Sequence, residues 1–162
     1  MKNMIKVPYE DFIRIYSRKT KLSLLVSLAL LLAFLLCVFL FSLFINYLNK
    51  GILLPLSIVI STILFFLFSL CMFGLFIPFK KELKHLKHVY YGERAKCKGV
   101  ISSIGGIVSL PSFGKGLEIV LKDKVDTWVV YFDCNLEELP FKEKEEVTLI
   151  TSYSFVVAYE KD

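Results

Sequence analysis

The chain has 162 residues, 56% of them hydrophobic and 22% charged, and its mean hydropathy is +0.62. Soluble domains average about 45–50% apolar residues, so the excess excludes an ordinary soluble fold throughout. The net charge of +5 conceals two opposed halves: residues 1–98 hold 14 Lys/Arg and 4 Asp/Glu, whereas residues 99–162 hold 6 and 11. The acidic half argues against nucleic acid as a ligand, because phosphates would be repelled.

Residues 1–21 open with Pro8, Glu10 and Asp11, a composition suited to the first turn of a helix. Tyr9, Phe12, Ile13 and Tyr16 give that helix an apolar face, and Arg14, Arg18 and Lys19 follow. This predicts a short amphipathic helix lying in the membrane interface. Leu22–Ile45 and Ile52–Phe79 contain no charged residue. A helix needs about 20 apolar residues to cross the hydrocarbon, so residues 22–79 are predicted to be a transmembrane helical hairpin, with helices at 22–48 and 52–79. The first block is too long for a signal-peptide core and is not followed by an A-x-A-like site. NKG (49–51) reads as the turn, with Gly51 as a stop and Pro55 in the next helix start. Ala29, Ala33 and Cys37 in the first helix, and Ser57 and Ser61 in the second, form small-residue rows suited to close helix packing.

Six Lys/Arg precede the first block, one lies between the blocks, and seven follow the second up to Lys98. Positive residues are retained on the cytoplasmic side. The chain is therefore predicted to be a multi-pass protein of a bacterial inner membrane with both termini cytoplasmic. Cys97 and Cys134 then lie in a reducing compartment, where no disulfide is expected. FKKELKHLKHVYYGER (79–94) marks the change of solvent. Lys80, Lys81, Lys84 and Lys87 are assigned to anionic lipid headgroups. Phe79, Leu83, Leu86 and Tyr90 recur at helical spacing, so residues 80–93 are predicted to be a basic juxtamembrane helix ending near Gly92.

Beyond Arg94 the apolar period becomes two. AKCKGVISSI (95–104) and GIVSL (106–110) read as strands separated by a turn or bulge at Gly105-Gly106, with PSFGKG (111–116) as a loop. LEIVL (117–121) and TWVVYFD (127–133) follow. The latter places Trp128, Val130 and Phe132 on one inward face. EVTLITSY (146–153) and SFVVAYE (154–160) read as a hairpin. Five or six short strands within 94–162 predict a small OB- or SH3-like β-barrel. The layout resembles that of NfeD-type membrane proteins, which carry a small cytoplasmic barrel behind a transmembrane hairpin. That resemblance covers element order only and brings no site residues with it.

No catalytic motif survives inspection. SLPSFGKG (109–116) lacks the first glycine and the hydroxyl residue of a phosphate loop and precedes a strand rather than a helix. Glu82, His85 and His88 are spaced three apart and suggest no complete metal site; both histidines read as surface residues among the lysines. No cofactor or metal is assigned. Glu137, Glu138, Glu143, Glu145 and Glu146 crowd one connection around Phe141. That ring is read either as an exposed anchor for a protein partner, with Glu143 and Glu145 beside it, or as a plug under the barrel.

The expected function is a non-catalytic, membrane-anchored interaction or regulatory module: an accessory subunit, regulator or immunity-type protein. It would bind a protein partner, such as another membrane protein or a second copy of the chain, through the cytoplasmic barrel. The alternative is a ligand-gated effector whose barrel senses a small molecule and whose hairpin oligomerises to damage the membrane.

Overall fold

The computed structural model describes residues 4–45, 50–110, 114–123, 126–133, 135–136 and 138–161. Its elements are β1 (Ile5–Lys6), α1 (Tyr9–Phe44), α2 (Lys50–Cys71), a π-helical stretch (Met72–Phe76), α3 (Ile77–Tyr91), β2 (Arg94–Leu110), β3 (Gly114–Lys122), β4 (Thr127–Phe132), β5 (Glu146–Ser152) and β6 (Phe155–Lys161). They fall into two compact units. One comprises Tyr16–Lys81; the other contains the sheet, with the chain through Ile15 and from Glu82 onward.

In the helical unit, both helices are long and apolar enough to span a membrane. The interfacial segment expected at residues 1–21 is not a separate helix: its helical part forms the first turns of α1. Pro8 precedes that helix and its carbonyl accepts the Phe12 N–H, while Glu10 and Asp11 occupy the first turn as expected. The expected helix stop and start are corrected too. Gly51 is the second residue of α2, and Pro55 lies inside that helix. Asn49, the first residue of the predicted turn, lies outside the described residues.

Phe34 and Phe65 meet with ring centroids 6.0 Å apart, and Tyr16 and Phe79 at 6.1 Å. This pairing of early with late positions makes the helices antiparallel neighbours. From Thr20 onward the less exposed positions of α1 are Thr20, Ser23, Ser27, Leu30, Leu31, Phe34, Cys37 and Phe41, which, Leu31 apart, alternate steps of three and four. Such a seam suits helices wound around one another. Cys37 lies on it, and Ser57 and Ser61 are half-buried on α2. Ala29 and Ala33 are exposed and lie off this seam. Ser23 and Ser27 are buried on it, 6% and 1% exposed.

The sheet order is β1-β6-β4-β3-β2-β5, and β5 also pairs with β6. All pairings are antiparallel except β4 with β6, which meet in parallel at Tyr131 and Phe155. One edge of β6 serves β5. The other serves β4 at Phe155 and then β1, through Ile5–Tyr159 and Lys6–Ala158. The segments 95–104 and 106–110 form one strand rather than two, with register shifts at Ile101/Ser103 and Ile104/Ile107. Gly105-Gly106 is therefore a bulge and not a turn. Gly114–Gly116 belong to β3, not to a loop; residues 111–113 lie outside the described residues. Gly116 fits because a Cβ there would lie 2.9 Å from that of Tyr131. The β5–β6 hairpin forms as expected, closed by Tyr153 and Ser154 at φ 48° and 67°.

Ile101, Ile119, Leu121, Phe132, Val147, Leu149, Phe155 and Val156 are fully buried and form the core of the sheet, with Val130 nearly so. Trp128 has the predicted parity but is 43% exposed, because its position lies at the end of β4 where the core runs out. Trp128→Ala is consequently expected to cost only about 1 kcal/mol, rather than the roughly 3–5 of a buried Trp. Thermal unfolding followed by circular dichroism measures the difference.

Candidate functional site

The polar chemistry of the sheet unit gathers where α3 meets the end of β4 and the start of α1. α3 buries His85, Leu86 and Val89 on one face. Positions 82, 85–86 and 89 share a helical face, so Glu82 stands one turn before His85. The His85 Nε2 lies 3.5 Å from Asp133 Oδ2, with side chains 4% and 1% exposed. The same imidazole meets Phe155 edge-on at 5.0 Å. The other Asp133 oxygen accepts the Asn135 N–H at 3.1 Å, and its carbonyl accepts the Leu136 N–H. One aspartate thus closes the turn after β4 and faces the helix.

Tyr9 completes the cluster from the start of α1. It is fully buried, and its hydroxyl finds no hydrogen-bond partner among the described residues. Burial, and then the neighbouring Asp133 carboxylate, hold this phenol well above its ordinary range, so it remains protonated at neutral pH. Burial also raises the Glu82 carboxyl; His85 opposes that shift and Asp133 adds to it. Neither described groove on this unit is lined by Tyr9, Glu82, His85 or Asp133. The cluster joins α3, the end of β4 and the start of α1.

His85 was expected at the surface, and its burial is a correction. Its neighbour His88 is exposed and stacks on Tyr153, with centroids 4.1 Å apart and planes 16° from parallel. The two histidines thus have different partners, His85 facing Asp133 and Phe155 and His88 stacked on Tyr153. Lys80, Lys81, Lys84 and Lys87 are all exposed on α3. Lys80 also lies 5.6 Å from the Phe76 ring centroid.

Phe141 is 4% exposed and packs edge-to-face on Phe132 and Tyr159, at 6.0 and 4.9 Å. This corrects its reading as a surface anchor and matches the plug alternative: an aromatic ring gains far more from the core than a polar loop gains from carrying it. Glu143 and Glu145 bind their own fold. The Glu143 carboxylate accepts the Ile104 N–H at 3.4 Å, and that of Glu145 accepts the Lys142 N–H at 2.9 Å. Ile101 exchanges backbone hydrogen bonds with Lys144 and Glu145, which seats the loop against β2. Cys134 and Glu137 lie outside the described residues.

Among the grooves formed by the described residues of the unit, two have volumes of about 300 Å³ each. One is lined by Lys6, Val7, Pro8, Glu10, Asp11, Tyr90, Arg94, Val157 and Ala158, and so carries both signs of charge. Within it the Tyr90 hydroxyl donates to Glu10 Oε2 at 3.3 Å. The other, at the end of α3, is lined by Lys84, Lys87, His88, Tyr91, Gly92 and Tyr153. The chain matches no family model, no curated protein and no solved structure.

Proposed function

We propose that this protein is a non-catalytic, membrane-anchored interaction or regulatory module. The two apolar helices cross the membrane, and the sheet unit binds a protein partner on the cytoplasmic side. The observation that carries the reading is connectivity. Ile5–Lys6 and Phe155–Lys161 are hydrogen-bonded neighbours, and the two apolar helices form an excursion between them. Strands paired in one sheet share one side of a membrane, which an even number of crossings satisfies. The charge asymmetry then favours the cytoplasmic side.

The helices suit hydrocarbon in a second respect. The hydroxyls of Ser27, Ser42, Ser57, Thr62 and Ser69 each donate to a carbonyl of their own helix, at 2.7–2.9 Å. Their polar groups need no water. The ladder β2-β3-β4-β6-β5 returns to β2, and we read it as a small OB-like barrel with β1 covering the rest of one edge of β6. The acidic balance of residues 99–162 and the rim position of Trp128 favour a basic protein surface as partner.

Single cysteines placed on a background lacking the native four test the topology. Ser102→Cys, at an exposed strand position, is expected to resist membrane-impermeant thiol reagents in intact cells. Lys50→Cys is expected to react. The reverse pattern would invert the reading. Cross-linking and purification from native membranes then identify the partner. Toxicity on induced expression, increased by a small ligand, would instead favour the gated effector, for which the exposed faces of the helices leave room.

A further inference from the structure

The groove at the end of α3 combines two ammonium groups with an aromatic wall, and no carboxylate lines it. Cations near a helix C-terminus are expected from the backbone dipole alone. The wall is not. Tyr91 is 74% and Tyr153 48% exposed. Tyr153 also occupies the first position of a two-residue hairpin turn in which both residues have positive φ. Asn or Gly favours that conformation, whereas a bulky residue there is strained, a cost found mainly at functional sites. A second concession accompanies it: a Cβ at Gly92 would collide with the Tyr153 ring and the Ser152 hydroxyl. Glycine at the end of the helix and an aromatic in a strained turn together hold one ring beside His88 and the lysine pair.

We propose that this groove is a binding site for a phosphate-bearing anion. Lys84 and Lys87 supply the charge, and His88 and the hydroxyls of Tyr91 and Tyr153 supply hydrogen-bond donors to phosphate oxygens. Two sources carry this chemistry: the headgroup of an anionic phospholipid and a soluble phosphate ester. The first rests on the membrane reading given above. Lys84 lies five residues past Phe79, about 7.5 Å along a helix, within a headgroup layer of roughly 5–8 Å. The second does not depend on a membrane.

The test uses the full-length chain in mild detergent. Native mass spectrometry compares retention of phosphatidylglycerol with that of phosphatidylcholine, and calorimetry measures binding of glycerol phosphate. The wild type is expected to prefer the anionic lipid, and Lys84→Gln with Lys87→Gln to reduce that preference roughly tenfold or more. Tyr153→Asn removes the ring while suiting the turn, so it is expected to weaken binding with an unchanged or higher melting temperature. Lys115→Gln with Lys122→Gln, exposed on β3 and outside the groove, should change binding less than about twofold. If glycerol phosphate binds with the same dependence on these variants, the source is a soluble ester; if only the lipid does, it is the headgroup. Equal losses from both lysine pairs, or insensitivity of both ligands to Tyr153→Asn, would overturn the site. Failure of the chain to float with phosphatidylglycerol–phosphatidylcholine vesicles would overturn the membrane reading separately, leaving the soluble arm to decide the groove.

Discussion

Phe141→Ala is expected to lower the stability of the sheet unit by about 3–5 kcal/mol, the cost of deleting a buried aromatic side chain. The ring sits between Phe132 and Tyr159, and both would lose edge-to-face contacts. The loop that delivers it is pinned on either side, through the turn at Asp133 and the bonds from Lys144 and Glu145 to Ile101, so it has little freedom to collapse into the vacated space. Chemical denaturation of the full-length protein in detergent, followed by the β-sheet signal, measures the loss. Phe141→Leu should recover part of it. A change below about 1 kcal/mol, typical of surface positions, would mean that the ring is solvated and would return it to the role of a partner anchor.

Asp133→Leu is expected to cost about 1–3 kcal/mol, because it removes a buried carboxylate that faces His85 on α3 and accepts the Asn135 N–H, leaving buried polar groups less well satisfied. The second member of the test separates this from a packing defect. His85→Leu combined with Asp133→Leu should restore most of the loss, since a buried pair replaced by apolar residues is often neutral. Asp133→Asn should fall between, because it can still accept the Asn135 N–H but cannot carry the charge. If the double variant is no more stable than Asp133→Leu, the two groups are not coupled.

The two long apolar helices and the strand parities were legible because each leaves a period in the sequence. Leu86 and Tyr90 follow the predicted face of α3, and Val130 and Phe132 the predicted face of β4. What escaped were properties set by the ends of elements. Trp128 has the right parity but lies past the end of the core. Gly105-Gly106 signals either a turn or a bulge, and only the partner strand decides between them. His85 reads as one more polar residue among lysines, because the aspartate that accounts for its burial is 48 positions away in the chain. Tyr9 was assigned to an amphipathic helix for the same reason: its burial depends on elements that local periodicity cannot see.

The pairing of β1 with β6 also has a consequence for the order in which the chain is made. Ile5 and Lys6 leave the ribosome before any other described element, and their partners Tyr159 and Ala158 belong to the last. The earliest strand therefore stays without its ladder until both apolar helices and four further strands have been synthesised. Closing so long a loop is costly in entropy but grows only slowly with length, so the wait affects timing more than final stability. Until β6 is made, β1 keeps its unpaired backbone groups open to strands of other chains.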